Sequence, residues 1–281
     1  MTVFENPFYL LGAGTRDDRW RISALAEEKL LSIGGDTVTA ARDALTNPQK
    51  RLFAELRWFP GLGKEELANV IGFLNELKNG RKTAVPALMN SGILAALNLR
   101  LCAFPLWSFD TDAELKQIIL DINRLFEAAN AETVKAELNR DRIAAGFLPV
   151  SDDAELKAAL RIYRDDIRQT LHDKISVLPP YRYLKLVEEL FAANQAGGVF
   201  DDILAGYELD VMTEVKEQKQ QIYILISALK NGDMQSADKL AAALERWNLL
   251  VLPCRRRRKE EVSGIPTARK SPTPSGSSLP N

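Results

Sequence analysis

Histidine and cysteine, the side chains that most often bind transition metals, are nearly missing from this sequence. Its 281 residues include one histidine, His172, and two cysteines, Cys102 and Cys254. Neither cysteine has the spacing of a zinc site, and two cysteines are too few for a disulfide framework. These shortages exclude a His/Cys metal centre and favour a reducing compartment, which we expect to be the cytoplasm.

Long apolar runs are also missing. The longest uncharged stretch covers residues 83–99 and is interrupted by Pro86 and Asn90. It is at the lower edge of membrane-spanning length, and its polar residues favour a buried core helix. The opening residues, MTVFENPFYLL, lack the basic start and the unbroken apolar core of a signal peptide. We therefore expect neither a transmembrane segment nor a signal peptide.

The sequence has little net charge, but the charge is unevenly distributed. Its 37 basic and 38 acidic residues give −1, whereas residues 253–281 alone carry seven basic and two acidic residues. That segment is rich in Pro, Ser and Gly, which predicts a disordered tail. Three interpretations of its basic run stay open. The run is a set of solvent-exposed charges without a specific role, an electrostatic anchor for nucleic acid or anionic lipid, or a targeting signal. The candidate polyanion-binding residues are Arg255, Arg256, Arg257, Arg258 and Lys259.

Helical periodicity is the dominant pattern between the ends of the chain. Apolar residues recur three and four positions apart, and Gly, Pro or Asn separates most of the segments. We predict helices over 64–79, from 112, from an N-cap at Ser151, over about 207–230 and over 234–248, with a loop over 195–207. No consistent repeat of a helical solenoid is present. The sequence predicts an all-α protein built as a helical bundle or array, with domains at 1–60, 61–252 and 253–281.

The first 60 residues form a helical module of their own in this interpretation. We predict an extended segment over NPFYLLG (6–12) and a helix over about 17–31 that is capped by Thr15. This helix is expected to present Trp20, Ala24, Leu25 and Leu31, or residues next to them, to a core. A second helix is predicted over 36–45. Asn47 then caps a third helix that begins at Pro48.

Two motifs in this module resemble those of the J-domain family of heat-shock cochaperones. NPFYLLG precedes the first long helix, and LTNPQKR (45–51) closes the next one. The family has Asn-Pro-aromatic-x-x-Leu-Gly and Leu-Ser-Asp-Pro-x-x-Arg at the corresponding places. The resemblance implies a helical hairpin that docks on a partner protein.

The turn of this hairpin departs from the family pattern. J-domains carry His-Pro-Asp there, which is needed to stimulate the partner ATPase, whereas this sequence has Gly34, Gly35 and Asp36. The preceding helix is basic in the family, but here it contains Glu27 and Glu28. We therefore expect a docking module, with Gly34, Gly35 and Asp36 as partner-binding residues, that does not stimulate a heat-shock ATPase.

Catalytic groups are not arranged in any pattern that predicts an enzyme. His172 adjoins Asp173, but neighbouring residues do not face each other on a helix. Cys102 has the apolar setting of a core residue, and Cys254 precedes four arginines in the tail. We expect no cofactor and no catalytic activity. The sequence favours a protein-interaction or chaperone-related adaptor with a protein partner of unknown identity; the alternative is an accessory factor that binds a polyanion through the tail.

Overall fold

Helix is the only regular secondary structure in the part of the chain that the computed structural model describes, residues 2–88, 91–192 and 198–263. Side chains are described over the same ranges except at 180, 191–192 and 253–263. The predicted all-α class is confirmed. Within these ranges, no helix has both the length and the apolar character needed to cross a membrane. The twelve helices in this part are α1 (Pro7–Leu11), α2 (Arg19–Ile33), α3 (Gly35–Thr46), α4 (Pro48–Leu56), α5 (Lys64–Lys78), α6 (Ile93–Ala103), α7 (Asp112–Ala128), α8 (Ala131–Ala144), α9 (Asp153–Ile175), α10 (Pro180–Ala192), α11 (Val199–Lys230) and α12 (Ser236–Ser263).

The chain divides into two compact units, Met1–Asp210 and Val211–Asn281. The boundary falls inside α11, between Asp210 and Val211. The sequence predicted boundaries after residues 60 and 252 instead. Residues 1–60 share their unit with the helices α5 to α10, so they do not form a separate compact unit.

Asn-Pro pairs start two of the first four helices. The Asn6 side chain accepts a hydrogen bond from the amide of Phe8, and Pro7 occupies the first turn of α1. Residues 7–11 are therefore helical, and our prediction of an extended segment there was wrong. Asn47 and Pro48 begin α4 in the same way, as predicted. The first backbone N–H groups of a helix have no acceptor within the helix. The Asn side chain accepts from one or two of them, and Pro at the first position has no N–H group that needs an acceptor.

The helix α2 starts later than predicted, and this changes its buried face. Asp18, not Thr15, is the N-cap, because the Thr15 hydroxyl donates to Asp141 at 2.5 Å instead. Trp20 is 87% exposed and Leu31 is 100% exposed, contrary to our prediction that they belong to the core. Ala24 is also exposed, whereas Leu25 is buried as predicted. The buried positions of α2 are Ile22, Leu25 and Ala26.

One apolar core extends through the first six helices. It contains buried residues of every helix from α1 to α6, together with Ala145 and Phe147 after α8. The rings of Phe8 and Trp58 stack with centroids 5.7 Å apart near its middle. Each such buried side chain contributes about 1.5–3 kcal/mol to folding. The continuous core explains why residues 1–60 are not a unit of their own.

Charged side chains inside this unit join the first 60 residues to α8. Glu55 accepts hydrogen bonds from Arg51 at 2.6 Å and from Arg142 at 2.7 Å. All three side chains are at most 4% exposed. Asp141, the neighbour of Arg142, accepts from the amide of Gly61 at 2.6 Å. Gly61 has a φ of +85°, which favours glycine, and an added Cβ would lie 2.7 Å from the Arg140 guanidinium.

Three later segments also differ from the sequence predictions. The N-cap of α9 is Asp152 rather than Ser151, since the Asp152 carboxylate accepts from the amide of Ala154. Residues 199–207 are helical where we predicted a loop, whereas Gly198 lies in a turn as predicted; residues 195–197 of that loop prediction lie outside the described residues. The backbone of α12 continues beyond Pro253 to Ser263, where we predicted disorder. Arg, Lys and Glu are good helix formers, which accounts for this extension. The predicted disorder of 264–281 lies outside the described residues.

In the second unit, the described parts of α11 and α12 pack through a small apolar cluster. Ile222 and Leu225 of α11 are buried against Ala243 of α12, with Leu240 and Trp247 partly buried beside them. The spacing of these positions is helical on both elements, so one face of each helix is buried.

Candidate docking groove in the first unit

The predicted partner-binding residues lie at the exposed turn between α2 and α3. Gly34 caps the turn with φ 87°, a backbone conformation in which a side chain would be strained. Gly35 is the first residue of α3, and Asp36 lies in its first turn. All three are exposed, and the Asp36 carboxylate has no hydrogen bond or ion pair among the described residues. These three consecutive residues therefore form one exposed turn that carries a single negative charge, that of Asp36.

The predicted polyanion-binding residues, Arg255 to Arg258 and Lys259, lie on the helical backbone of α12. Their side chains are outside the described set.

The remaining titratable candidates are held in structural contacts. His172 lies 3.7 Å from Asp210 of α11 and not against its sequence neighbour Asp173. Burial raises the pKa of the Cys102 thiol to about 12, which leaves it inert at neutral pH. Asp202 binds Arg164 and Arg168. Over the described ranges, no cluster of His, Cys, Asp or Glu has the geometry to hold a metal ion.

A groove of about 1050 Å³ lies between α1, α2 and α5 in the first unit. We call it the α2/α5 groove. Its apolar floor includes Leu10 of α1, Ile33 of α2, and Leu67 and Ile71 of α5, all of them partly buried. Leu67 and Ile71 are one helical turn apart, so they share one face of α5. Sequence analysis did not predict this groove.

Four cations and one acid line the rim of the α2/α5 groove. Arg16 is bound to Asp141 at 2.9 Å, and Arg21 lies 3.6 Å from Glu28. The acid, Asp17, accepts a hydrogen bond from the amide of Gly14. The other two cations are Lys29 and Lys64, and neither forms an ion pair with any residue whose side chain is described. The rim therefore carries four positive charges and one negative charge above an apolar floor, and two of the cations have no ion-pair partner among the described side chains.

A buried donor also lines the α2/α5 groove. Trp58 is 1% exposed, and its indole Nε1 has no hydrogen-bond partner in the described part of the chain. Most buried polar atoms in proteins are paired, because an unpaired one costs about 1–3 kcal/mol. The Nε1 atom itself is buried, with the indole ring packed between Phe8 and Phe59, so this donor belongs to the core beneath the groove.

Gly72 is the one signal in the sequence that points to this groove. It is an exposed glycine inside α5, where glycine costs about 1 kcal/mol relative to alanine. An added Cβ would meet no described atom within 4 Å outside its own stretch of helix. The free protein therefore has no steric need for glycine here, whereas the close approach of another chain would need one.

Comparison with known proteins adds no relative to these observations. No family model, curated protein or solved structure matches this chain.

Proposed function

We propose that this chain is a non-enzymatic protein-interaction adaptor that docks a partner protein through the α2/α5 groove. The observation that carries the proposal is the composition of the groove: an apolar floor beneath a mainly cationic rim. Apolar grooves with a few polar groups are the usual sites of recognition. We place the adaptor in the cytoplasm, where a buried free thiol such as Cys102 persists.

We propose further that α1 to α4 are a divergent J-domain-like module of a chaperone-related protein that has lost the stimulatory turn. Support comes from the order of its helices, from the Asn-Pro starts of α1 and α4, and from the Gly34-Gly35-Asp36 turn. Glu27 and Glu28 are exposed on α2, which places negative charge where the family has positive charge. Like charges facing an acidic partner weaken association.

A steady-state ATPase assay tests the lost activity. A purified heat-shock ATPase is incubated with the full chain, with an authentic J-domain protein as the positive control. We expect no stimulation by this chain. Stimulation that disappears in the Asp36→Asn variant would show that the turn is functional and would refute this part of the proposal.

Site-specific photo-crosslinking tests the docking role. A benzophenone amino acid replaces Ala68, an exposed residue of α5 that lines the groove, in the full chain in cells. The matched control replaces Ala158, an exposed alanine of α9 that does not line it. We expect a discrete protein adduct from position 68 alone. The same adducts from both positions, or none from either, would contradict docking at the groove.

The alternative proposal is an accessory factor that binds nucleic acid or another polyanion through residues 255–259. The observation that favours it is that these consecutive basic residues lie on a helix, and so hold a fixed spacing. Retention on immobilised nucleic acid is measured over a salt series with and without residues 254–281. Retention that falls with salt and disappears in the truncated chain would support this alternative, because phosphate contacts release counterions.

A further inference from the structure

We infer that the α2/α5 groove receives an acidic amphipathic α-helix of the partner protein. The inference rests on the proposed adaptor function and specifies the chemistry of its partner. Three features of the groove carry it: the shape of its walls, the charge of its rim and the open space beside Gly72.

The walls of the groove have the length of a short helix. Its lining residues on α5 and the preceding turn run from Gly63 to Asn75, and those on α2 run from Arg21 to Ile33. Each span rises about 18 Å along a helix axis, which is just over three turns. A partner helix of this length presents apolar side chains at positions i, i+4, i+7 and i+11. The half-buried Leu67 and Ile71 lie one turn apart, so they match that spacing.

The rim selects the charge of the occupant. Arg16 and Arg21 already have acidic partners, whereas Lys29 and Lys64 have none among the described side chains. They lie on the two opposite walls, α2 and α5. Acidic residues on both flanks of an apolar stripe would therefore meet one lysine each. The net charge of the whole chain is only −1, so this local excess of positive charge is a property of the groove.

The α5 wall leaves room for close approach. An added Cβ at Gly72 would meet no described atom within 4 Å outside its own stretch of helix, so the backbone of a partner helix can lie against this position. An anionic lipid surface would satisfy the lysines, but its headgroups would not bring apolar side chains to Leu67 and Ile71 between the two walls.

A display library tests this inference on the full chain. Its members are helical 18-residue peptides with Leu fixed at i, i+4, i+7 and i+11 and with Glu, Gln or Lys at the other positions. Selection is run against the wild-type chain and, as a counter-selection, against Gly72→Phe. Phe at this exposed position fills the groove without displacing any described atom at its Cβ. We expect peptides rich in Glu that bind the wild type and not the filled groove.

Affinity measurements on the best peptide then test the individual contacts. We expect the Lys29→Glu and Lys64→Glu double variant to bind about tenfold or more weakly, because like charges then face each other. Lys157→Glu, at an exposed lysine of α9 outside the groove, is the matched control and should bind normally.

Four results would overturn the inference. They are enrichment of Lys or Gln instead of Glu, equal selection by Gly72→Phe, no effect of the two charge reversals, or displacement of the peptide by phosphatidylserine vesicles. If position 68 still crosslinks to a protein after one of these results, the adaptor proposal stands and only the acidic helix is wrong. If position 68 also fails to crosslink, both proposals fail.

Discussion

Replacing the buried Glu55 by Gln is the most direct test of how the first unit is held together. The Glu55 carboxylate is 1% exposed and receives the guanidinium groups of Arg51 and Arg142 at 2.6 and 2.7 Å. Gln has the same shape, but it is neutral and offers only one acceptor oxygen. Its amide N–H₂ would face one of the two guanidiniums, donor against donor. Two buried cations would then remain without a counter-charge.

The magnitude follows from this loss of charge. Removing one partner of a buried ion pair costs about 3–5 kcal/mol, and Glu55 is the shared partner of two arginines. The arginines keep other acceptors: Arg51 donates to the carbonyls of Leu45 and Thr15, and Arg142 donates to that of Pro48. These neutral bonds hold the side chains in place, but they do not replace the charge. We therefore expect a loss of about 3–5 kcal/mol, which lowers the melting temperature by roughly 6–20 °C for a domain of this size.

Urea unfolding followed by circular dichroism measures the loss. Asp43→Asn is the matched control, because it neutralises the exposed ion pair between Asp43 and Lys50 and should cost less than about 1 kcal/mol. Hydrogen exchange locates the damage: we expect faster exchange in α3, α4 and α8 together. If Glu55→Gln cost no more than the control, or loosened only residues 1–60, the network would not join these elements as described.

Three further predictions concern single side chains of the first unit. At pH 8 a thiol reagent should not modify native Cys102, whose pKa near 12 leaves about one part in 10⁴ as thiolate, and the thiol should react only on unfolding. Reaction of Cys102 at the rate of an exposed thiol would contradict its burial. Tyr163→Phe removes the hydroxyl that donates to Asn98 at 2.6 Å, and should cost about 1–3 kcal/mol in urea unfolding. Gly72→Ala should raise stability by about 0.5–1 kcal/mol, and a loss would mean that the position is crowded.

Local sequence signals predicted the elements whose ends are set by their own residues. Asn47 and Pro48 start α4 as expected, because an Asn cap followed by Pro needs nothing from the rest of the chain. The helix α5 matches its prediction closely, with two acids in its first turn and Asn79-Gly80 after its end. The hairpin turn at Gly34 was predicted for the same local reason.

Predictions failed where a distant residue decided the outcome. Thr15 has the spacing of an N-cap, but its hydroxyl donates a hydrogen bond to Asp141, which lies 126 positions later in the sequence. The burial of Arg51 and Glu55 was not predicted, since charged side chains are rarely buried. They are buried because Arg142, 87 positions beyond Glu55, completes their network. The α2/α5 groove was missed because it depends on the packing of two helices, and only Gly72 marks it locally.

The same distant contacts bear on how well the α2/α5 groove can bind. Asp141 of α8 accepts from the Thr15 hydroxyl, from Arg16 Nε and from the amide of Gly61. Thr15 and Arg16 line the groove where the chain enters α2, and Gly61 lies just before its α5 wall. The buried Asp141 carboxylate therefore holds the residues before the α2 wall and before the α5 wall in place in the free protein. A site that is already ordered loses less conformational entropy on binding, so its contacts contribute more fully to affinity. The anchoring by α8 thus ties residues 1–60 to the rest of the unit and also holds the groove in one shape for a partner helix.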